Sequence, residues 1–341
     1  MDLSILYIGS LFKGSTALHR LNAIKQVYND VKYIESYMLN IRFLMLIDRL
    51  LNKISRYGIN SFLLNRNLTK LTSDNPFNFI WIDKGLQIFP ITLKSIKNKY
   101  PNTKLIHYSP DDMMNPINQS RNYLNSIPFY DLHVTTKSYN VDELYAFGAK
   151  KVLFVNNAYA PEIHKPYYLS EEEIRKYSSD VSFIGSPEKE RADSINFIAK
   201  NGIKVTIWGI GWEKYLKRNQ NITIIKGFFA DEEYCKIICA SKINLAFLRK
   251  VNRDLQTTRT MEIPACGGFM LAERTEEHKK LFKEDEEAVY FSNDEELLEK
   301  IKYFLREENR RLQIANRGFI RCKKSGYDNI SMVKKVFSSF N

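Results

Sequence analysis

The segment TTRTMEIPACGGFML, residues 257–271, contains a polar helix start, a proline, a glycine pair and an apolar strand in succession. We expect the helix to begin at Thr257 or Thr258, and Pro264 with the Gly267–Gly268 pair to end it after about two turns. The backbone then turns sharply into GFMLA. A helix this short buries little surface, so we predict that it serves through its amino end, where N–H groups can bind an anion.

Short apolar runs, each followed by an amphipathic segment, recur on both sides of this helix. The earlier runs are LSILYIG, FNFIWID, KLIHYS, DLHVTT and KVLFVNN, and the later ones are VSFIG, KVTIWG, ITIIKG, INLAFL, GFMLA and AVYFS. Between the two groups, AYAPEIHKPYYLSEEE has two prolines and no periodicity, which is typical of a linker. Alternating strands and helices in two groups predict two doubly wound parallel sheets.

The length of 341 residues also favours two domains. We place the boundary near residue 165 and assign the helical region 36–72 to the first domain. Residues 293–315 are strongly amphipathic and predict a scaffold helix capped by Asn293 or Asp294. Two doubly wound domains that face each other form a cleft between the carboxyl ends of their strands, where ligands of such sheets bind.

The formal net charge of +12 raises the question of nucleic-acid binding. Lysines and arginines are scattered along the chain and no known nucleic-acid motif stands among them, so we expect no nucleic-acid partner. An anionic membrane surface or a phosphorylated substrate explains the charge equally well. No apolar run of about 18 residues occurs, and LSILYIGS is too short for a signal peptide. We therefore expect a cytoplasmic protein, with peripheral contact at the inner face of the plasma membrane left open.

The four cysteines do not predict a metal site. Cys235 and Cys239 lie four residues apart, on one face of a predicted helix beside Ile238. This spacing favours buried thiols over metal ligands.

Two acidic residues flank the predicted start of the short helix. If INLAFL is a strand, residues 249–257 form the loop at its carboxyl end, with Asp254 in the loop and Glu262 in the helix. Arg259 can neutralise a phosphate, and a carboxylate nearby can accept hydrogen bonds from ribose or sugar hydroxyls. In the alternative interpretations, Glu262 complements the helix dipole and Asp254 makes an Asx turn.

The spacing of Asp254 and Glu262 resembles the acidic pair of GT-B glycosyltransferases, usually two glutamates with seven residues between them. The stretches TTRTMEIPACGGFMLAERTEEHKKLF and EEAVYFSNDEELLEKIKYFL most resemble the carboxyl-terminal domain of the family named for the spore maturation protein CgeB, over roughly residues 181–335. The amino-terminal half resembles that family more loosely, through HYSPDD and FGAKKVLFVNNAYAPEIHKP. The resemblance implies a GT-B fold in which the last helix crosses back, with domains 1–165 plus 326–341 and 166–325.

The resemblance also implies an activity: transfer of a sugar from a UDP- or GDP-linked donor to an acceptor hydroxyl, in the synthesis of a surface glycan, polysaccharide or glycoprotein. The acceptor would be a glycan, a lipid-linked glycan or a protein, retention would be the usual outcome, and neither a further cofactor nor a metal is expected. Glu262 would bind the donor ribose and Asp254 would lie by the donor sugar, although Asp is one methylene shorter than the usual Glu. A non-catalytic two-domain protein that binds a nucleotide or small ligand is the alternative.

Further candidate residues lie at predicted strand ends that face the same cleft. The candidate catalytic residues are Asp254, His107 and Asp111, and the candidate donor-binding residues are Glu262, Arg259, Thr258, Thr257, Gly185, Ser186, Arg191, Gly209, Gly211 and Gly14. The other interpretations are a core histidine for His107, a helix-capping pair for Asp111 and Asp112, a solvated helix residue for Arg191, and packing for Trp212.

Overall fold

The structure, a computed structural model, describes residues 3–39, 42–54 and 58–340. The chain divides into two compact units, residues 1–155 with 333–341 and residues 156–332. Within the described residues, each unit is built on a six-stranded sheet whose paired strands are all parallel. The predicted α/β architecture of two doubly wound sheets is therefore confirmed.

The first unit alternates strands and helices along the chain. Its strands are β1 (Ile5–Gly9), β2 (Val31–Glu35), β3 (Phe79–Asp83), β4 (Lys104–Ser109), β5 (Leu132–Thr135) and β6 (Val152–Phe154). Its helices are α1 (Thr16–Val27), α2 (Arg42–Ile54), α3 (Ile59–Ser73), α4 (Pro90–Lys99), α5 (Arg121–Ser126) and α6 (Asn140–Ala146). The strand order is β2-β1-β3-β4-β5-β6.

Strands β1 and β3 of the first sheet are mainly apolar and buried along their whole length. β1 and β3 are paired in register from Ile5 opposite Phe79 onward, and helices cover both faces, so these strands need no polar alternation. Asp83 ends β3 and forms a buried ion pair with Arg20 of α1 at 2.8 Å. This pair holds the carboxyl end of the sheet to the first helix.

The second unit repeats the pattern. Its strands are β7 (Ser179–Ile184), β8 (Val205–Trp208), β9 (Ile222–Ile225), β10 (Ser241–Ala246), β11 (Met270–Glu273) and β12 (Val289–Phe291). Its helices are α7 (Glu171–Tyr177), α8 (Lys189–Lys200), α9 (Asp231–Ala240), α10 (Thr258–Ala265), α11 (Glu276–Leu281), α12 (Asp294–Arg306) and α13 (Glu308–Lys324). The strand order β12-β11-β10-β7-β8-β9 puts β10 and β7 at the centre.

The end of the chain differs in one respect from the sequence-based prediction. Residues 293–315 form the whole of α12 and the start of α13, because the backbone leaves the helical region at Glu307 with φ −91° and ψ 66°. Asn293 is the N-cap of α12, as predicted, and accepts from the Glu296 amide at 2.8 Å. The last helix, α14 (Asn329–Ser338), begins in the second unit and ends in the first, where Phe337 contacts Phe79.

Residues 156–165, which the sequence analysis assigns to the first domain, belong to the second unit. Tyr159 pairs with the chain near Asp328, since its amide donates to the Tyr327 carbonyl at 3.1 Å and its carbonyl accepts from the Asn329 amide at 2.8 Å. These bonds hold the two connecting segments side by side within the second unit. In the described parts of the chain, no helix is both long enough and apolar enough to span a bilayer.

Candidate active site

The loop that follows β10 leads into the amino end of α10. Thr257 is the N-cap in extended conformation, and its amide donates to the Thr260 hydroxyl at 3.0 Å. Across the described residues, no acceptor pairs with the amides of Thr258 and Arg259. The helix therefore presents two unpaired N–H donors at its positive end, an arrangement suited to an anion.

The hydroxyl of Thr257 is a further polar group at the same place. The residue is 8% exposed and its Oγ1 faces the Thr260 amide in a capping box, while no acceptor for its proton occurs among the residues that the structure describes. A buried hydroxyl proton without an acceptor is costly. Together with the two amides, it provides a third polar group at the amino end of α10 that a ligand could satisfy.

Arg259 connects this helix end to the neighbouring strand. Its Nε donates to the Ile184 carbonyl at 2.7 Å, and its guanidinium lies 5.2 Å from the centre of the Phe183 ring. A side chain at Gly185 would collide with the guanidinium, so glycine is required there for this close approach. The sequence-predicted residues Arg259 and Gly185 thus lie together at the carboxyl end of β7.

Arg191 is held differently from the prediction. It is buried, and its guanidinium donates to the carbonyl of Leu248 at 3.2 Å and to that of Ser186 at 3.0 Å. Burial, reinforced by the charge of Arg259, lowers the pKa of Arg191 to about 10. Both the phosphate-clamp role and the solvated-helix interpretation are therefore corrected, because carbonyl oxygens already occupy this guanidinium. Ser186 itself is exposed.

The glycines at the end of β8 serve packing. Gly209 is buried, and a Cβ there would collide with the Gly185 carbonyl. That carbonyl accepts from the indole N–H of Trp212 at 2.8 Å, and Trp212 is fully buried, which confirms the packing interpretation for this tryptophan. Gly211 is partly exposed and has φ +89°. Of the two glycines predicted to contact a nucleobase, only Gly211 is accessible, so the prediction for Gly209 is corrected.

Glu262 lies on α10 and is 7% exposed. Its Oε2 accepts from the Tyr234 hydroxyl of α9 at 2.8 Å, and its Oε1 lies 3.8 Å from Nε2 of His164. No other hydrogen-bond donor to this carboxylate occurs within the described chain. The carboxylate is therefore buried yet retains acceptor capacity on both oxygens.

Asp254 is buried in the loop before α10. Its Oδ2 accepts from the Arg249 amide at 3.3 Å, and its own amide donates to the Arg249 carbonyl at 3.1 Å. The carboxylate thus closes a turn that returns the chain from β10 toward α10. The structure brings Asp254 and Glu262 into one loop–helix segment, as the spacing predicts.

In the first unit, His107 is a core residue. It is buried among aromatic rings, with Nε2 3.0 Å from the Lys84 carbonyl and Nδ1 3.2 Å from Nδ1 of His133. Burial, followed by the nearby His133, holds the pKa of His107 well below its usual range. The prediction of an acceptor-side role for His107 is wrong, because both ring nitrogens face neighbouring groups in the core.

The acidic pair after β4 forms a turn. Asp112 is fully buried and accepts from the Met114 amide at 3.1 Å and the Asn140 side chain at 2.9 Å, so it stabilises a turn and does not cap a helix. Asp111 is partly exposed and forms an ion pair with Lys84. Gly14 lies in the loop between β1 and α1 with φ +79°, next to the exposed Phe12 and Lys13. Asp111 and Gly14 keep their predicted roles as hypotheses.

Three residues of this site were not predicted from the sequence: Tyr234, His164 and Gln256. The buried Gln256 accepts from the Asn157 amide at 3.0 Å and donates to Glu277 at 2.8 Å, so it ties the start of the second unit to the loop before α10. The sequence signal for His164 is its place in NNAYAPEIHKP, within the loosely matching stretch. Tyr234 has none, since it lies in an ordinary amphipathic helix.

Several solved structures share this fold at low sequence identity. Anabaena HepE in complex with UDP-glucose superposes with a TM-score of 0.68 at 12% identity, covering 99% of each chain. Sucrose-phosphate synthase from Thermosynechococcus elongatus has a TM-score of 0.65 at 9% identity, also covering 99% of each chain. A glycosyltransferase from Rickettsia africae has a TM-score of 0.63 at 13% identity, covering 99% of this chain and 98% of its own.

Part of the sequence also matches a known family. Residues 191–336 match a family model described as glycosyl transferase-like. The chain thus has the GT-B fold, and this part of it is similar to glycosyltransferases. No curated protein matches it by sequence. The matched residues include α10, the loop before it and Tyr234.

Proposed function

We propose that this protein is a glycosyltransferase, which binds a nucleoside diphosphate sugar on its second unit and transfers the sugar to an acceptor hydroxyl. The observation that carries the proposal is the amino end of α10. There, the unpaired amides of Thr258 and Arg259 and the unsatisfied hydroxyl of Thr257 lie one turn from the buried Glu262 carboxylate. The amide and hydroxyl donors at the helix end suit the oxygens of a diphosphate, and the Glu262 carboxylate suits the hydroxyls of a ribose. A nucleoside diphosphate carries both groups next to each other.

In this proposal the diphosphate binds at the amino end of α10 and against Arg259. The Arg259 guanidinium donates from Nε to the Ile184 carbonyl, which fixes its position and leaves the Nη atoms beside Gly185 for a phosphate. The buried Arg191 adds a fixed positive charge behind this position without donating to the ligand. These charges support a metal-independent reaction, because they can stabilise the diphosphate as it leaves.

In the proposed reaction, the bond between the anomeric carbon and the diphosphate oxygen breaks, and a bond to the acceptor oxygen forms. The diphosphate leaves with the electron pair, and the acceptor proton passes to the departing phosphate. Asp254 lies on the donor-sugar side, as the family resemblance implies. A retaining outcome is part of the proposal and is checked by the anomeric configuration of the product.

UDP and GDP are both candidate leaving groups. The UDP and UDP-glucose bound by Anabaena HepE support UDP as the first to examine. For the acceptor, we propose a hydroxyl of a surface glycan, a lipid-linked glycan or a protein. The net charge of +12 supports peripheral contact with anionic lipid from the cytoplasmic side, which co-sedimentation with phosphatidylserine vesicles at low and high salt can examine.

Calorimetric titration of UDP, GDP, ADP and uridine tests the donor site. We expect one nucleoside diphosphate to bind at least about tenfold more tightly than its nucleoside, because the helix end and Arg259 contact only the phosphates. Glu262→Ala should weaken that binding while the melting temperature changes little. Slow release of the nucleoside diphosphate from its sugar conjugate distinguishes the enzyme from a binding protein. Absence of binding by every nucleotide contradicts the proposal.

A further inference from the structure

Two buried aromatic side chains of the second unit lie next to the Glu262 carboxylate. Tyr234, which is 9% exposed, donates its hydroxyl hydrogen bond to Oε2, and His164, which is 2% exposed, lies 3.8 Å from Oε1. The rings of Tyr234 and His164 meet edge to face with centroids 6.0 Å apart. Each of the two carboxylate oxygens is therefore next to a different aromatic residue.

The tautomer of His164 follows from its other contact. The Ala160 amide donates to Nδ1 at 2.9 Å, so Nδ1 carries no proton and the neutral ring carries its proton on Nε2. That N–H lies on the side of the ring nearest Glu262. At 3.8 Å the contact is too long for a hydrogen bond, so His164 acts on Oε1 as a nearby dipole.

The segment that carries His164 is itself fixed. The His164 amide donates to the Ala160 carbonyl at 2.7 Å, which closes a tight turn, and the neighbouring Tyr159 is bonded to the chain on both sides of Asp328. The imidazole therefore has one orientation, set by backbone hydrogen bonds.

The carboxylate of Glu262 is under-used for a buried charge. It offers about four acceptor positions, and in the described chain only the Tyr234 hydroxyl donates to it. A buried carboxylate with a purely structural role is usually satisfied by several donors. The Glu262 carboxylate instead has two neighbours that orient it and still has acceptor positions open. It is therefore suited to a ligand that donates two hydrogen bonds.

We propose that Tyr234 and His164 are positioning residues, which orient the Glu262 carboxylate so that it accepts hydrogen bonds from the vicinal 2′- and 3′-hydroxyls of the donor ribose. This inference rests on the proposed function. Because Tyr234 and His164 already restrict the Glu262 side chain, it loses less conformational freedom when the ribose binds. This restriction therefore increases the affinity for the nucleotide.

The test compares binding of a nucleoside diphosphate with binding of its 2′,3′-dideoxy analogue, using whichever of UDP and GDP the wild type prefers. We expect the wild type to favour the ribonucleotide and Glu262→Ala to abolish that preference. Tyr234→Phe should weaken ribonucleotide binding about five- to tenfold, the amount expected for one hydrogen bond, and leave dideoxynucleotide binding unchanged.

Two variants separate the roles of the His164 nitrogens. His164→Asn keeps an acceptor near the position of Nδ1 for the Ala160 amide and removes the group next to Glu262, so it should reduce the ribose preference. His164→Gln brings an amide donor toward the position of Nε2 and should restore part of it.

Tyr177→Phe is the matched control. Tyr177 donates to Glu233, the neighbour of Tyr234 on α9, at 2.9 Å, so this variant also loses a tyrosine–glutamate hydrogen bond. It should keep the full ribose preference. The inference is overturned, with the proposed function intact, if Tyr234→Phe and His164→Asn lower stability but keep the wild-type preference that Glu262→Ala loses. If the wild type binds no nucleoside diphosphate, or Glu262→Ala keeps the preference, the donor site itself is wrong and the inference fails with it.

Discussion

Arg259 Nε donates a 2.7 Å hydrogen bond to the carbonyl oxygen of Ile184, so the first turn of α10 is tied to the carboxyl end of β7. Carbonyl groups at strand ends and unpaired amides at helix starts carry opposite partial charges. Arg259 belongs to the first turn of the helix, and its guanidinium lies at the strand end. The bond fixes the arginine without neutralising it. The same side chain can therefore organise the protein and attract the diphosphate.

Arg259→Gln should weaken binding of the preferred nucleoside diphosphate about tenfold or more, because a charged hydrogen bond to phosphate is lost. Binding of the corresponding nucleoside should change less than twofold, since it has no phosphate. Calorimetric titration of both ligands measures the difference. Arg306→Ala, an exposed arginine on α12, is the control and should bind both ligands like the wild type. An equal loss for nucleotide and nucleoside would place Arg259 away from the phosphates.

Gly209→Ala should destabilise the second unit by about 1–3 kcal/mol, because its Cβ would collide with the Gly185 carbonyl between two strand ends. Nucleotide binding should weaken as well, since Gly185 packs against Arg259. Urea unfolding and titration of the nucleotide give the two values. Gly202→Ala is the comparison: Gly202 has φ +87° and no atom within 4 Å of a new Cβ, so this variant strains the backbone without a collision and should bind nucleotide like the wild type. If Gly209→Ala keeps wild-type stability and nucleotide binding, the steric explanation is incorrect.

Most of the fold could be predicted from the sequence, because central strands of parallel sheets are continuous apolar runs that end in turn residues. β2 was missed: it lies at the sheet edge, and Lys32 and Tyr33 in VKYIE are exposed, so the run looks neither buried nor alternating. The break at Glu307 was missed because no glycine or proline marks it. The signals that predict helix interiors and strand centres lie in neighbouring residues, whereas the break at Glu307 depends on packing.

The site was predictable only where it is local. Thr257, Arg259 and Glu262 belong to one loop–helix segment, so their spacing places them together. Tyr234 is 28 residues from Glu262 and reaches it through the packing of α9 against α10, which no spacing reveals. The predictions for Arg191 and His107 were wrong because tertiary contacts cannot be seen in the sequence. Their residue types suggested phosphate binding and an acceptor-side role, but Arg191 bonds the Leu248 carbonyl and His107 contacts His133 in the core.

His278 should make stability depend on pH. Its Nδ1 lies 2.7 Å from the Glu273 carbonyl and its Nε2 lies 2.9 Å from the Thr260 hydroxyl, so the neutral ring donates to the first and accepts from the second. Burial holds the pKa of His278 below its usual value. The unfolded chain then binds the proton more readily, so this contribution to stability is complete above about pH 6.5 and is lost as the pH falls below it.

Urea unfolding at pH 7.5 and pH 5.0 measures this dependence. Other buried histidines, His107 and His133, act in the same direction, so the comparison is with His278→Gln, which retains them. The wild type should lose more stability than the variant between the two pH values. An equal loss in both proteins would show that His278 is not the titrating group.

Asp254 combines a structural contact with a proposed catalytic position, and two variants separate them. Asp254→Asn keeps an oxygen that can accept from the Arg249 amide but removes the charge. We expect nucleotide affinity to stay within about twofold and sugar transfer or donor hydrolysis to fall about a hundredfold, because a charge near the reacting carbon matters most in the transition state. Asp254→Ala should lose stability in addition, since the turn then lacks its acceptor.

Steady-state turnover of the nucleotide sugar, with nucleotide affinity and urea unfolding measured in parallel, distinguishes the two roles of Asp254. A purely structural Asp254 predicts that Asp254→Asn keeps wild-type turnover and that Asp254→Ala loses turnover only in proportion to its unfolded fraction. Asp254→Glu introduces the longer acid of the glutamate pair that the Asp254–Glu262 spacing resembles. If the extra methylene lets the carboxylate reach the sugar without breaking the turn, Asp254→Glu should retain at least about a tenth of wild-type turnover, well above Asp254→Asn.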